Sequence, residues 1–123
     1  MKVEVYYNLH KNLFSVKSRQ GDDYGKVFKH TPREVIVSPT FAVRQSGRLR
    51  VLKENKKNVH AFVRGHIVLD QILPSGKSRL VKYDPYKYDS FVFSDTEEPI
   101  KFADLAILNC NNGKPTIEVY NGR

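Results

Sequence analysis

One cysteine, Cys110, stands in 123 residues, so no disulfide can form within the chain. That fits a reducing compartment. Apolar runs are short, and none approaches the ~18–20 residues a membrane helix needs, so no membrane association is expected. The opening stretch, Met1 to Tyr7, alternates polar and apolar residues. It lacks the apolar core of a signal peptide, and the expectation is a cytoplasmic protein.

Catalytic signatures are scarce too. His10, His30, His60, His66 and Cys110 form no C-x-x-C or H-E-x-x-H pair, so neither a metal site nor a cofactor is expected. Ser75-Gly76-Lys77-Ser78 contains G-K-S, but position 71 is Gln71 where a phosphate loop needs its first glycine. No G-x-S-x-G nucleophile elbow occurs. Repeats, low-complexity tracts and linkers are missing, and 123 residues fit one domain spanning 1–123.

Positive charge is abundant. Twenty-one Lys and Arg against thirteen Asp and Glu leave +8 at neutral pH. Charge of this size concerns partners rather than fold, and it favours polyanions. It is also uneven. Arg44, Arg48, Arg50, Lys53, Lys56, Lys57 and Arg64 are opposed only by Glu54, whereas Asp84, Asp89, Asp95, Glu97, Glu98 and Asp104 face only Lys87 and Lys101. The two stretches pair internally, mark two faces, or link subunits head to tail in an oligomer.

The patterning predicts an α+β, mainly β fold: a small twisted antiparallel sheet or partly open barrel with one short helix. Strands are expected over Lys2–Tyr7, with Val3, Val5 and Tyr7 on one side. Further strands are expected over Leu13–Lys17, Tyr24–His30, Glu34–Ser38 (stopped by Pro39), Val59–Leu69, Arg79–Tyr83, Ser90–Phe93, Phe102–Asn109 and Thr116–Tyr120. Gly65 reads as a bulge. The helix is expected over Ser46–Lys57, with Ser46 as N-cap and Leu49 and Leu52 on its apolar stripe. Arg48 in its first turn opposes the helix dipole, a hint of selection for something other than helix stability.

The segment from Arg44 to His66 is the candidate binding surface. Arg44, Arg48, Arg50, Lys53, Lys56, Lys57 and Arg64 can contact phosphates. Asn58 can pair with a base edge or cap the helix. Phe62 or Tyr83 can stack a base, unless Phe62 belongs to the core. Around Pro85, Tyr86 and Tyr88 make a sticky loop that either binds a partner or covers the end of the barrel. His60, with His10 and Arg64, is the candidate set for a metal-independent ribonuclease, which needs a base, an acid and a cation.

The stretches Val5-Tyr6-Tyr7-Asn8-Leu9-His10-Lys11, Gly47-Arg48-Leu49-Arg50-Val51-Leu52 through Lys57-Asn58-Val59-His60-Ala61-Phe62, and Tyr83-Asp84-Pro85-Tyr86-Lys87 resemble a family of small uncharacterised proteins encoded by tailed bacteriophages. The resemblance runs to about Phe93. It implies a phage origin and activity in the cytoplasm of a bacterial host, and it transfers no catalytic residue. Three functions are open on this reading. The chain binds RNA, DNA or a host nucleic-acid-handling or defence complex; it inhibits a host protein by direct contact; or it cleaves RNA.

Overall fold

A computed structural model describes residues 1–56, 59–67 and 76–121. Among these residues, nine strands and one helix follow in chain order: β1 (Lys2–Asn8), β2 (Leu13–Ser18), β3 (Val27–Thr31), β4 (Arg33–Val43), α1 (Gln45–Glu54), β5 (Ala61–His66), β6 (Ser78–Lys82), β7 (Val92–Phe93), β8 (Leu105–Asn111) and β9 (Lys114–Tyr120). All nine lie in one open sheet, ordered β3-β2-β1-β5-β4-β8-β9-β6-β7, with every neighbouring pair antiparallel. The mainly β fold with one short helix is therefore as the pattern predicts.

Turn chemistry sets the hairpins. Asn8 Oδ1 accepts from the backbone N–H groups of His10 and Lys11, and Asn12 adopts a φ of 54°, which asparagine tolerates better than most residues. Between β8 and β9, Asn112 and Gly113 both have positive φ, as a two-residue turn matched to strand twist requires.

The sheet is strongly curled. Tyr7, at the end of β1, donates from Oη to the Gly113 carbonyl at 3.1 Å, although β5 and β4 separate β1 from β8 in the sheet. Inside the curl, alternate residues make the core: Val3 and Val5, Phe14 and Val16, Val63, Ala106 and Leu108, and Val119 are all at most 2% exposed. Burying side chains of this size is worth about 1.5–3 kcal/mol each before chain entropy is charged against it.

β4 differs from the expected strand. Pro39 does not stop it. The strand continues to Val43, and the register against β5 slips between Val37 and Thr40. Ser38 takes a φ of 51° there, and Pro39, which has no N–H to leave unpaired, sits buried in the irregularity. The slip lets Ile36 and Phe41, five residues apart, both face the core. Gly65 lies opposite this point and pairs in register with Val3, so the bulge belongs to β4 and not to Gly65. Glycine is needed because a Cβ at 65 would collide with the Ile36 side chain and come within 2.9 Å of the Val37 carbonyl oxygen.

The helix also departs from expectation. It runs from Gln45 to Glu54, and Arg44, not Ser46, occupies the N-cap, with no side-chain cap bond. Leu49 and Leu52 do not form its buried stripe: Val51 is the buried residue, while Leu49 is 59% and Leu52 37% exposed. Asn55 closes the helix in the left-handed conformation and donates its N–H to the Val51 carbonyl. β3 starts at Val27 rather than Tyr24, and β5 spans Ala61–His66 within the longer expected run. Ile67 is half-buried, while Val68, Leu69, Gln71 and Ser75 lie outside the described residues. Among the described residues, no helix is long and apolar enough to cross a membrane.

Candidate functional site

The candidate binding residues divide between two places. The first is the sheet face opposite the core. Glu4 alternates with Val3 and Val5, so its side chain lies on that face, yet it is only 5% exposed. The antiparallel register sets Lys17 of β2 and Arg64 of β5 directly on either side of it. Arg64 Nε donates to Glu4 Oε1 at 3.0 Å. Arg44 Nη2 lies 3.6 Å from the same oxygen, and Lys17 Nζ lies 3.6 Å from Oε2. Three cations thus surround one carboxylate, leaving two positive charges uncompensated within the group.

Phe62 supports this group from below. The Arg44 and Arg64 guanidiniums lie 4.6 and 4.7 Å from its ring centroid, a separation at which a cation is attracted to the ring face. Phe62 is 5% exposed. It is therefore a covered platform for two arginines, and a base cannot reach it to stack. Arg50, Lys53 and Lys56 are exposed on and just after α1. Lys57 and Asn58 lie outside the described residues.

Arg48 is engaged by the tyrosine loop. Its Nε donates to the carbonyls of Pro85 (3.1 Å) and Tyr88 (2.9 Å). Gln45 Nε2 donates to the Asp89 carbonyl at 2.7 Å. The helix start thus ties down the tyrosine loop through backbone oxygens, which accounts for an arginine placed against the helix dipole. The acidic stretch meets cations of its own half of the chain: Asp95 pairs with Arg79 at 2.8 Å, and Glu97 pairs with Lys82 at 3.4 Å. The Arg79 hydrogen bond holds the Asp95 carboxyl below its ordinary value. The Tyr88 hydroxyl, then Lys82, does the same for Glu97.

The second place is the mouth of the curled sheet. A cavity of about 540 Å³ opens there between the β1–β2 turn, the end of α1, the start of β5 and the tyrosine loop. Tyr7, Leu9, Val51, His60, Tyr83 and Tyr86 are among its walls. His60 is 5% exposed, and its Nε2 lies 2.7 Å from Tyr83 Oη. Burial pushes the Tyr83 hydroxyl up to about 12, with Asp84 and Asp89 adding to the effect and Arg48 opposing it. Tyr86 is 60% exposed, yet its Oη donates to Asn55 Oδ1 at 2.7 Å, so the loop and the helix end are bonded across the rim. Tyr88 Oη donates to Glu97 Oε1 at 2.8 Å.

The three ribonuclease candidates go to three separate placements. His60 turns to Tyr83, Arg64 turns to Glu4 and Phe62, and His10 sits in the exposed β1–β2 turn. Glu4 and Lys17 were missing from the expected basic surface. The alternation of β1 already put Glu4 away from the core. Its neighbours became identifiable only once β1 was known to pair with both β2 and β5.

The chain length, the basic composition and the motifs at both the turn and the tyrosine loop can be set against known proteins. A family profile described as Mycobacterium phage L5 gene 82 protein matches residues 1–114. The chain belongs to this bacteriophage protein family. The "Gene 82 protein" of Mycobacterium phage L5 is 32% identical over 116 residues, covering 89% of this chain and 90% of that relative. Family likeness thus extends past Phe93 to include β8 and the start of β9. It takes in the strands that carry Glu4, Lys17 and Arg64, the helix, and the tyrosine loop. No solved structure matches the chain.

Proposed function

We propose that this phage protein binds nucleic acid on the outer sheet face that carries Lys17, Arg44 and Arg64, with Arg50, Lys53 and Lys56 of the helix region extending the positive surface. One observation carries the reading: three cations converge on a single carboxylate, two of them over a shared aromatic ring. Two guanidiniums already stacked on Phe62 have lost much of their side-chain freedom. They therefore give up less on meeting a phosphate than free arginines would. The net charge of +8 adds long-range attraction. In this reading the protein works in the cytoplasm of the bacterial host, as a binder rather than an enzyme.

The test is fluorescence anisotropy with labelled single-stranded RNA and DNA across a salt series. Affinity should fall linearly on logarithmic axes as salt rises, because each phosphate contact releases counterions. Reversing Arg50, Lys53 and Lys56 together should reduce the slope by about one for each phosphate no longer neutralised. Undetectable affinity for either polymer at low salt would end the proposal.

A second reading, direct contact with a host protein, is favoured by Leu49 and Leu52. They lie three residues apart on α1 and remain exposed on a helix that buries only Val51. Capture of a host protein from nuclease-treated bacterial lysate, abolished by Leu49→Asp, is the result this reading requires.

A further inference from the structure

We infer that the cavity at the mouth of the sheet is a nucleotide pocket, which takes the planar base of a nucleoside phosphate and leaves the phosphate at a lysine-bearing rim. The cavity shares Lys56 with the positive surface of the helix region but contains none of Lys17, Arg44 and Arg64.

Tyr7, His60, Tyr83 and Tyr86 supply flat rings to a cavity otherwise walled largely by aliphatic side chains and Pro85. A volume of about 540 Å³ lies in the range of small-ligand sites, roughly 300–1,000 Å³. The decisive feature is Tyr86. An exposed tyrosine normally samples several rotamers, but here its hydroxyl is bonded to Asn55 at 2.7 Å. Its ring is thus presented to solvent with its orientation fixed, as a stacking surface needs to be. Because Asn55 accepts this bond through Oδ1, its amide NH₂ is the group turned to donation, and a base edge offers acceptors to such a donor. The buried His60–Tyr83 pair adds a polar spot to the inner wall.

The rim supplies the charge. Lys56 follows Asn55 and Lys87 follows Tyr86, so the bond between Asn55 and Tyr86 brings the chain neighbours of both lysines together. Lys11 lies two residues beyond Leu9, a third lining residue, and all three lysines are exposed. An aromatic cleft beside lysines suits an aromatic anion better than a neutral ring or a bare phosphate.

The chain has no tryptophan, and three of its seven tyrosines line the cavity, so intrinsic tyrosine emission reports on occupancy. The probes are the four common nucleoside monophosphates, adenosine and inorganic phosphate, with calorimetry as a second readout. Saturable binding of at least one monophosphate, with adenosine and phosphate each binding more weakly, is expected. Tyr86→Ala should weaken it by about tenfold or more, the scale of a lost base–aromatic stack. Tyr86 is exposed, so the variant should keep the thermal midpoint of the parent. Lys56→Glu with Lys87→Glu should weaken the monophosphate but not adenosine. Arg44→Ala should leave the monophosphate unaffected. No saturable monophosphate binding, or binding that survives Tyr86→Ala unchanged, overturns the inference. Those outcomes would leave polymer binding by the outer face standing. Loss of polymer binding with the monophosphate still bound would remove the outer face and keep the pocket.

Discussion

Arg64 donates from Nε to Glu4 Oε1 at 3.0 Å across the β1–β5 ladder, in which the two residues are direct partners. The bond uses only one edge of the guanidinium. The same carboxylate also meets Arg44 and Lys17. Glu4 is therefore the counter-charge that allows three cations to crowd together, and it competes with any anion arriving from outside.

Replacing Glu4 with Gln should separate folding from binding. Glutamine keeps the shape and one acceptor but removes the charge. Stability should drop by about 1.5–3 kcal/mol, the scale of a hydrogen bond to a charged group. Affinity for a polyanion should rise several-fold, because the cations lose their internal competitor. Urea denaturation and the anisotropy titration measure the two effects. Reduced stability with unchanged affinity would show that the cluster serves the fold alone.

Tyr83 makes an alkaline prediction. Its hydroxyl titrates near 12 in the folded protein, against an ordinary value of 10. Between those values the unfolded chain gives up this proton while the folded chain keeps it. Stability is therefore complete below pH 10 and is lost as pH rises toward 12. Tyr83→Phe should remove this part of the slope. At neutral pH it should cost about 0.5–1.5 kcal/mol, the scale of the lost His60–Tyr83 hydrogen bond. Thermal melts of both proteins across the alkaline range check the sign.

On the acid side the order reverses. Asp95 and Glu97 both titrate below their ordinary values of 3.8 and 4.5. Their contribution is present above those values and is lost as pH falls through the depressed ones. Both groups are exposed, so the effect should be local. Carboxyl resonances followed by NMR should show two depressed titrations. Arg79→Ala should restore that of Asp95 and leave Glu97 unchanged.

Gly65→Ala should destabilise the protein although alanine suits a strand better than glycine. The new methyl group meets Ile36 and the Val37 carbonyl, and overpacking of this kind costs about 1–3 kcal/mol. In an Ile36→Ala background, which lacks the Cγ2 methyl that the new group meets, the same Gly65→Ala change should cost less. Chemical denaturation of the parent, the two single variants and the double variant settles it.

Much of this architecture was legible in the residue pattern. Val3, Val5 and Tyr7 were placed on one face by alternation alone. Less legible were features that depend on which strands become neighbours. Pro39 looked like a stop because a local rule applies to a regular ladder, and only the β5 register shows that the ladder slips there. Arg48 looked like a binding residue because its acceptors are backbone carbonyls some forty residues away, which no side-chain pattern announces. The mouth cavity was invisible for the same reason: Leu9, Asn55, His60 and Tyr86 come from four separate stretches.

The strand order carries a consequence for how the molecule is made. β1 pairs with β2 nearby, but its other neighbour is β5, some sixty residues along, and β4 waits for β8, with Arg33 meeting Asn109. Partners so distant in the chain mean that long loops must close before any pairing is rewarded, and such sheets assemble in milliseconds to seconds rather than microseconds. During synthesis, the first three strands can form while β4 still shows an unpaired apolar edge, Val35-Ile36-Val37. That edge stays open until residues 105–111 leave the ribosome. Crowded with other unfinished chains, it is the segment most exposed to pairing with the wrong partner.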